Sequence, residues 1–152
     1  MKSLNWTTVA VIFLRLTIGI TFLSSVADRF GLWGPPGARG VSWGNFAHFA
    51  AFTGQLNWFL PASAVSFLAW VDTLLEGIVG VTLIIGVKLR VFAIVGGVLL
   101  LLYALTMTFA LGAEAPLDYS VWSASAGAFA IAVLAKRSLK QSFDRSGSSE
   151  AA

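Results

Sequence analysis

The sequence predicts an all-α integral membrane protein, a four-helix bundle with a long outer loop that contains a short interfacial helix. Hydrophobic residues make up 57% of the 152 residues and charged residues only 11%, against about 45–50% and about 25% in soluble domains. The mean hydropathy is +0.83. Four apolar stretches are each close to the ~20 residues that cross a hydrocarbon core about 30 Å thick. Because so few charges could not cover the surface of a soluble domain, the predicted surrounding is a lipid bilayer.

The fourth predicted span is the shortest, and the third has no charged residue, which makes it the clearest of the set. A cleaved signal peptide ending at Ala27 is an alternative for the first span. Its apolar run is longer than the about 7–15 residues of such a peptide, however, and contains Arg15. The predicted membrane domain covers residues 1–136, followed by a partly disordered basic tail at 137–152, with spans at about 6–27, 62–86, 91–111 and 119–135.

Basic residues cluster at the ends of the spans rather than along one face. Lys88 and Arg90 lie in the short turn between spans two and three. The loop between spans three and four carries Glu114 and Asp118 and no base. With Lys2 and the bases after span four, all basic clusters fall on one side, so the positive-inside rule predicts cytoplasmic termini in a bacterial-type cytoplasmic (inner) membrane. The formal charge of +3 does not indicate a nucleic-acid partner, because no basic face forms.

The long outer loop, residues 28–61, begins with a Gly- and Pro-rich segment that excludes regular structure. Asn45 is a suitable N-cap for the following segment NFAHFAAFTGQLNW. About fourteen residues are too few to span a bilayer. We therefore predict a short helix at the membrane interface, anchored by Trp43, Trp58 and Phe59.

Three charged residues, Arg15, Asp72 and Glu76, lie within the predicted spans. A lone charge at mid-bilayer costs about 2.5–3.5 kcal/mol on insertion scales, so such residues usually face one another or water. Counted from the cytoplasmic end of each span, Arg15 and Glu76 lie at a similar depth, about 15 Å at 1.5 Å per residue. We predict that Arg15 pairs with Glu76, Asp72 or both. Further polar groups continue this line toward the outer surface: Ser24, Ser25 and Asp28.

These charged residues form the candidate functional site. Glu76, Asp72 and Arg15 are the candidate catalytic cluster, and two carboxylates for one guanidinium leave a surplus acid that could relay protons. The same three residues and Trp70 are the candidate pocket for a quinone or lipid head group. The alternative is a structural ion pair that determines how spans one and two pack. No metal centre is predicted, because the chain has no cysteine and only one histidine, His48.

The chain resembles the DoxX family of small four-helix membrane proteins. The resemblance rests on LRLTIGITFL in span one, EGIVGVTLIIGVKLR in span two and the following GGVLLLLYAL, and on the loop segments ADRFGLWGPPG, WGNFAHFAAF and APLDYS. It implies a four-span bundle associated with quinone chemistry, since the family is named for a subunit of a terminal quinol oxidase. A related type belongs to thiosulfate:quinone oxidoreductase. Arg15 and Glu76 match the polar positions of the family.

Three functions follow as hypotheses. The first is a component of a quinone-linked membrane oxidoreductase or respiratory assembly, with quinone as the implied cofactor. The second is a non-catalytic accessory subunit of a larger membrane complex or homo-oligomer. It is favoured by the small residues of span four, which suit close helix packing and recur as Ser120, Ala124, Ala128 and Ala132. A solute carrier ranks last, because the spans show neither discontinuous helices nor an inverted repeat.

Overall fold

The computed structural model describes residues 6–149, with side-chain surroundings for residues 6–135. Within this part of the chain the regular secondary structure is entirely helical, which confirms the all-α part of the prediction. The helices are α1 (Trp6–Arg29), α2 (Phe46–Leu56), α3 (Ala62–Ile85), α4 (Leu89–Leu111), α5 (Glu114–Asp118) and α6 (Val121–Ser149).

Three of the described helices, α1, α3 and α4, are long and apolar enough to cross a membrane. Their outward faces expose large apolar side chains such as Phe13, Phe67 and Phe109. Lipid is the surrounding that stabilises contiguous apolar faces of this kind. The chain is therefore a membrane protein, as its composition predicts. The apolar part of α6, Val121–Ala135, is shorter than the other three.

The four long helices pack around one apolar core. Helix α1 packs along α3, α3 contacts α4, α4 packs along α6, and α6 contacts α1. Helices α1 and α3 approach closely at Gly19 and Gly80: a Cβ on Gly19 would lie 2.9 Å from the Gly80 carbonyl oxygen. Small residues allow such close approach of helix backbones in lipid. The core that they enclose contains Ile18, Phe22, Val79, Leu83, Ala93, Leu100, Ala128 and Ile131.

The two helix pairs are staggered along the bundle axis. From the contact between Gly19 and Gly80, ten residues remain to the end of α1 but eighteen to the start of α3. At 1.5 Å per residue, α3 therefore extends about 12 Å beyond α1 at the end of the bundle where α1 ends and α3 begins, which we label the outer end. On the other side, Ser125 donates a 2.8 Å hydrogen bond to the Gly97 carbonyl oxygen. By the same count, α4 extends about 15 Å beyond the start of α6.

Helix α2 lies beside the outer halves of α3 and α4, close to the end of α1. Its predicted N-cap is confirmed, since the Asn45 side chain accepts a hydrogen bond of 2.9 Å from the His48 backbone N–H. Its aromatic face packs inward: Phe49 is buried, and the Phe46 ring stacks on Trp70 at a centroid distance of 4.2 Å. Trp58 and Phe59 stay largely exposed after its last residue. The helix thus covers the outer end of α1.

Helix α6 continues well beyond the predicted end of the fourth span. The short helix α5 and a left-handed Ser120 precede it, and it begins within two residues of the predicted start at about 119. Its backbone stays helical as far as Ser149, through the segment predicted to be partly disordered. Residues 150–152 lie outside the described residues. Ala128 and Ala132 are buried within the bundle itself, so these two small residues face internal neighbours and not an external partner.

Candidate functional site

Two carboxylates are buried near the middle of α3. Asp72 and Glu76 are one helical turn apart and therefore lie on the same face. Glu76 is only 2% exposed and Asp72 only 8%. Asp72 lies ten residues from the start of α3, which is about 15 Å along the helix axis. Two acids at this depth need a cationic or hydrogen-bonding partner.

The partner is Arg29, in the last turn of α1. Its Nη2 lies 2.6 Å from Glu76 Oε2 and 3.5 Å from Asp72 Oδ2. Its Nη1 donates a 2.8 Å hydrogen bond to Thr73 Oγ1, and Nη2 donates a longer one, 3.4 Å, to Ser25 Oγ. Helical side chains point toward the N-terminus of their own helix. On antiparallel α1 and α3, the arginine therefore reaches inward while the two acids reach outward to meet it.

Tyr103 on α4 joins the two carboxylates from the other side. Its hydroxyl donates a 2.8 Å hydrogen bond to Glu76 Oε1 and also contacts Asp72 Oδ1. A phenol carries one proton, so it fully satisfies one acceptor, whereas a protonated carboxyl could donate to the phenol oxygen in return. With both acids ionised, the four groups would carry one net negative charge. We call Arg29, Asp72, Glu76 and Tyr103 the outer polar cluster.

Aromatic rings cover the outer polar cluster on the side of α2. The guanidinium carbon of Arg29 lies 3.5 Å from the centroid of the Phe49 ring and 5.5 Å from that of Trp43. Asp28 holds in place the loop that precedes α2, because its Oδ2 accepts hydrogen bonds from the backbone N–H groups of Ser42 (3.1 Å) and Trp43 (2.8 Å). These rings both exclude water and stabilise the cation.

The predicted pairing of Arg15 with Glu76 or Asp72 is wrong. The guanidinium of Arg15 lies against Gly86 at the opposite end of α3, and within the described side chains it forms no ion pair. The depth count assumed that α1 and α3 end at the same level. The stagger of about 12 Å moves Arg15 down to the α3–α4 turn and brings Arg29 to the depth of the acids.

The other predicted site residues have separate surroundings. Trp70 is 48% exposed and stacks on Phe46, so it connects α2 and α3 rather than contacting the outer polar cluster. Ser25 joins the cluster through Arg29, whereas Asp28 turns to the loop. The predicted polar line is therefore only partly formed. His48 lies outside the cluster, with its Nδ1 3.1 Å from the Trp43 carbonyl oxygen.

The charged groups of the outer polar cluster are buried and paired with one another, so a quinone ring could contact them only if the packing changed. A separate cavity of about 40 Å³ lies between α1, α4 and α6. Pockets that bind drug-sized or cofactor-sized ligands typically occupy about 300–1,000 Å³. The lining of this cavity is mainly apolar and consists of Ile18, Thr21, Phe22, Leu100 and Ala124. Among the described residues, no three acidic or histidine side chains are grouped to bind a metal. Proton binding is a chemistry that these buried acids offer without a change in their packing.

Sequence reasoning missed two members of the cluster. Tyr103 interrupts an otherwise apolar helix, and a buried tyrosine hydroxyl usually finds a hydrogen-bond partner. Arg29 lies two residues beyond the predicted end of span one at 27, although Arg15, Phe22 and Arg29 recur at seven-residue spacing and so share one face of α1. That spacing indicates that both arginines lie on the face of α1 that packs against the other helices, but it cannot show which one contacts the acids.

No protein-family model, curated protein or solved structure matches the chain.

Proposed function

We propose that the chain is a four-span, DoxX-like subunit of a quinone-linked redox assembly in the cytoplasmic membrane. In this assignment the apolar part of α6 is the fourth span and both termini are cytoplasmic. The outer polar cluster is the element of this subunit that binds and releases a proton. One observation carries the proton role: two buried carboxylates, Asp72 and Glu76, share a single guanidinium and a single phenol.

Charge balance supports a proton bound to one of the two carboxyl groups of the outer polar cluster. An uncompensated charge buried away from water is costly, and a buried carboxyl avoids this cost by taking up a proton. One proton neutralises the cluster and supplies the second hydrogen bond around the Tyr103 oxygen. Because Asp72 and Glu76 both contact that oxygen, the proton can pass between their carboxyl groups through the phenol. Arg29 keeps the remaining carboxylate ionised and in place.

The quinone belongs elsewhere in the assembly, since the charged groups of the cluster are buried and paired with one another. When bound, it would accept or release electrons together with protons. This chain contributes the buried acids, the phenol between them and the aromatic cover that excludes water. Electron carriers are supplied by partner subunits in this proposal.

The test combines infrared spectroscopy with turnover. We expect the purified protein at neutral pH to show the C=O stretch of a protonated carboxyl, and Glu76→Gln to remove or shift that band. Glu114→Gln is the matched control, because Glu114 is exposed on α5. In the assembly isolated from native membranes, Glu76→Gln should lower quinol turnover about 10²-fold, a typical contribution of a positioned acid or base. Fully ionised carboxylates, or unchanged turnover, would refute the proposal.

An accessory subunit without a proton role is the second candidate. The burial of the cluster favours this second function, because specifying how helices pack is a sufficient role for a buried, paired ion cluster. In that case Glu76→Gln would reduce the amount of assembled complex, while the turnover of each complex that forms would stay the same. Measuring assembly and turnover on the same preparation separates the two functions.

A further inference from the structure

The second arginine of α1 has a specific place of its own. The Arg15 guanidinium occupies the space that a side chain at position 86 would take, and it lies against the backbone of Gly86. Gly86 ends α3 with φ +79°, a left-handed conformation that favours glycine. Its N–H donates a 2.8 Å hydrogen bond to the Thr82 carbonyl oxygen. The turn is thus shaped around the guanidinium.

No acidic side chain compensates this guanidinium within residues 6–135. Arg15 makes no ion pair there, and its Nε is buried without a hydrogen-bond partner. The acids of this part of the chain lie in the outer polar cluster, at the outer end of α1 or in α5: Asp28, Asp72, Glu76, Glu114 and Asp118. A half-buried guanidinium without an anion is unfavourable, and residues 6–135 supply no counter-charge for it.

Two further bases are close in sequence to Gly86, the residue that Arg15 contacts. Lys88 and Arg90 follow Gly86 closely in the α3–α4 turn and in the first turn of α4, and both are exposed. We call Arg15, Lys88 and Arg90 the inner basic cluster. Apolar side chains flank it, since Ile85 is 60% exposed and Val87 51% exposed. The surface therefore offers positive charge next to hydrocarbon.

We propose that the inner basic cluster binds the phosphodiester group of an anionic phospholipid. Arg15 is the main ligand, because a guanidinium can donate two parallel hydrogen bonds to phosphate oxygens. Lys88 and Arg90 add attraction at the membrane surface, which is typical of basic clusters next to spans. The exposed Ile85 and Val87 contact the acyl chains, which is why a lipid fits the site better than a soluble phosphate.

The test measures binding of phosphatidylglycerol to the full chain in nanodiscs of phosphatidylcholine, by native mass spectrometry of retained lipid over a titration. We expect Arg15→Gln to bind about tenfold more weakly, as expected from the loss of a charge-assisted phosphate contact. Arg39→Gln is the matched control, since Arg39 is an exposed arginine of the outer loop, and it should bind like the unmodified chain. Equal affinity of the two variants would overturn the proposal.

A second variant guards against misfolding. Lys88→Gln with Arg90→Gln changes only exposed side chains, and it should weaken phosphatidylglycerol binding by several-fold while leaving the helix content unchanged. Inorganic phosphate at millimolar concentration should not displace the lipid. Full displacement by inorganic phosphate would overturn the lipid assignment and indicate a site for a free anion.

Discussion

Replacing Arg29 should destabilise the protein far more than replacing Arg15. Arg29 is 2% exposed, lies 2.6 Å from Glu76 Oε2 and donates a 2.8 Å hydrogen bond to Thr73. Removing one partner of a buried ion pair costs about 3–5 kcal/mol, because the other charge stays buried without compensation. We expect Arg29→Gln to lose about this much free energy of unfolding. Arg15→Gln should lose less than about 1 kcal/mol, since no ion pair is removed.

The assay is equilibrium unfolding in mixed micelles, followed by circular dichroism. The interaction energy between each arginine substitution and Glu76→Gln identifies the arginine that pairs with Glu76. Directly interacting residues couple by about 0.5–3 kcal/mol, whereas the effects of distant ones add within about 0.5 kcal/mol. Arg29→Gln should therefore couple to Glu76→Gln, and Arg15→Gln should not. Lowering the pH should reduce the loss in Arg29→Gln, because protonated carboxyls need no cation. Coupling of Arg15 instead of Arg29 would refute the assignment of the ion pair.

Two further substitutions, each with a matched control, test the Tyr103 contacts in the cluster and the contact between α1 and α3. Tyr103→Phe leaves two buried carboxyl groups without their hydroxyl partner and should cost about 1–3 kcal/mol of unfolding free energy; Tyr119→Phe, at a side chain that is 76% exposed, should change it little. Gly19→Ala places a Cβ 2.9 Å from the Gly80 carbonyl oxygen and should cost about 1–3 kcal/mol by overpacking. Gly77→Ala meets no atom within 4 Å and should be neutral or slightly stabilising. Equal effects of either matched pair would contradict the described packing.

The composition and the hydropathy pattern were enough to predict an all-helical membrane protein. One helix start followed from a local signal, since Asn45 begins α2 as its predicted N-cap. Gly86, which ends α3 in a left-handed conformation, is a signal of the same local kind. These features depend on neighbours within a few residues and on transfer of apolar side chains out of water. Both are readable along the chain.

The acids of the candidate site were also identified from the sequence. Asp72 and Glu76 share a face because of helical spacing alone, and their burial required a cation. The identity of that cation was not readable. Two arginines, Arg15 and Arg29, lie on the same face of α1, and only the relative height of two helices distinguishes them.

That height is a property of the tertiary structure. Residue counting assumes that antiparallel spans begin and end level, but Gly19 and Gly80 set the contact of α1 and α3 at a stagger of about 12 Å. This shift decides which arginine meets the acids and which stays at the α3–α4 turn. The sequence by itself determined which helices form and which charges must be paired. The packing of small residues between helices decided which arginine pairs with the two acids. Shifting one helix along the other would leave the local sequence pattern unchanged, so the pattern cannot show this pairing.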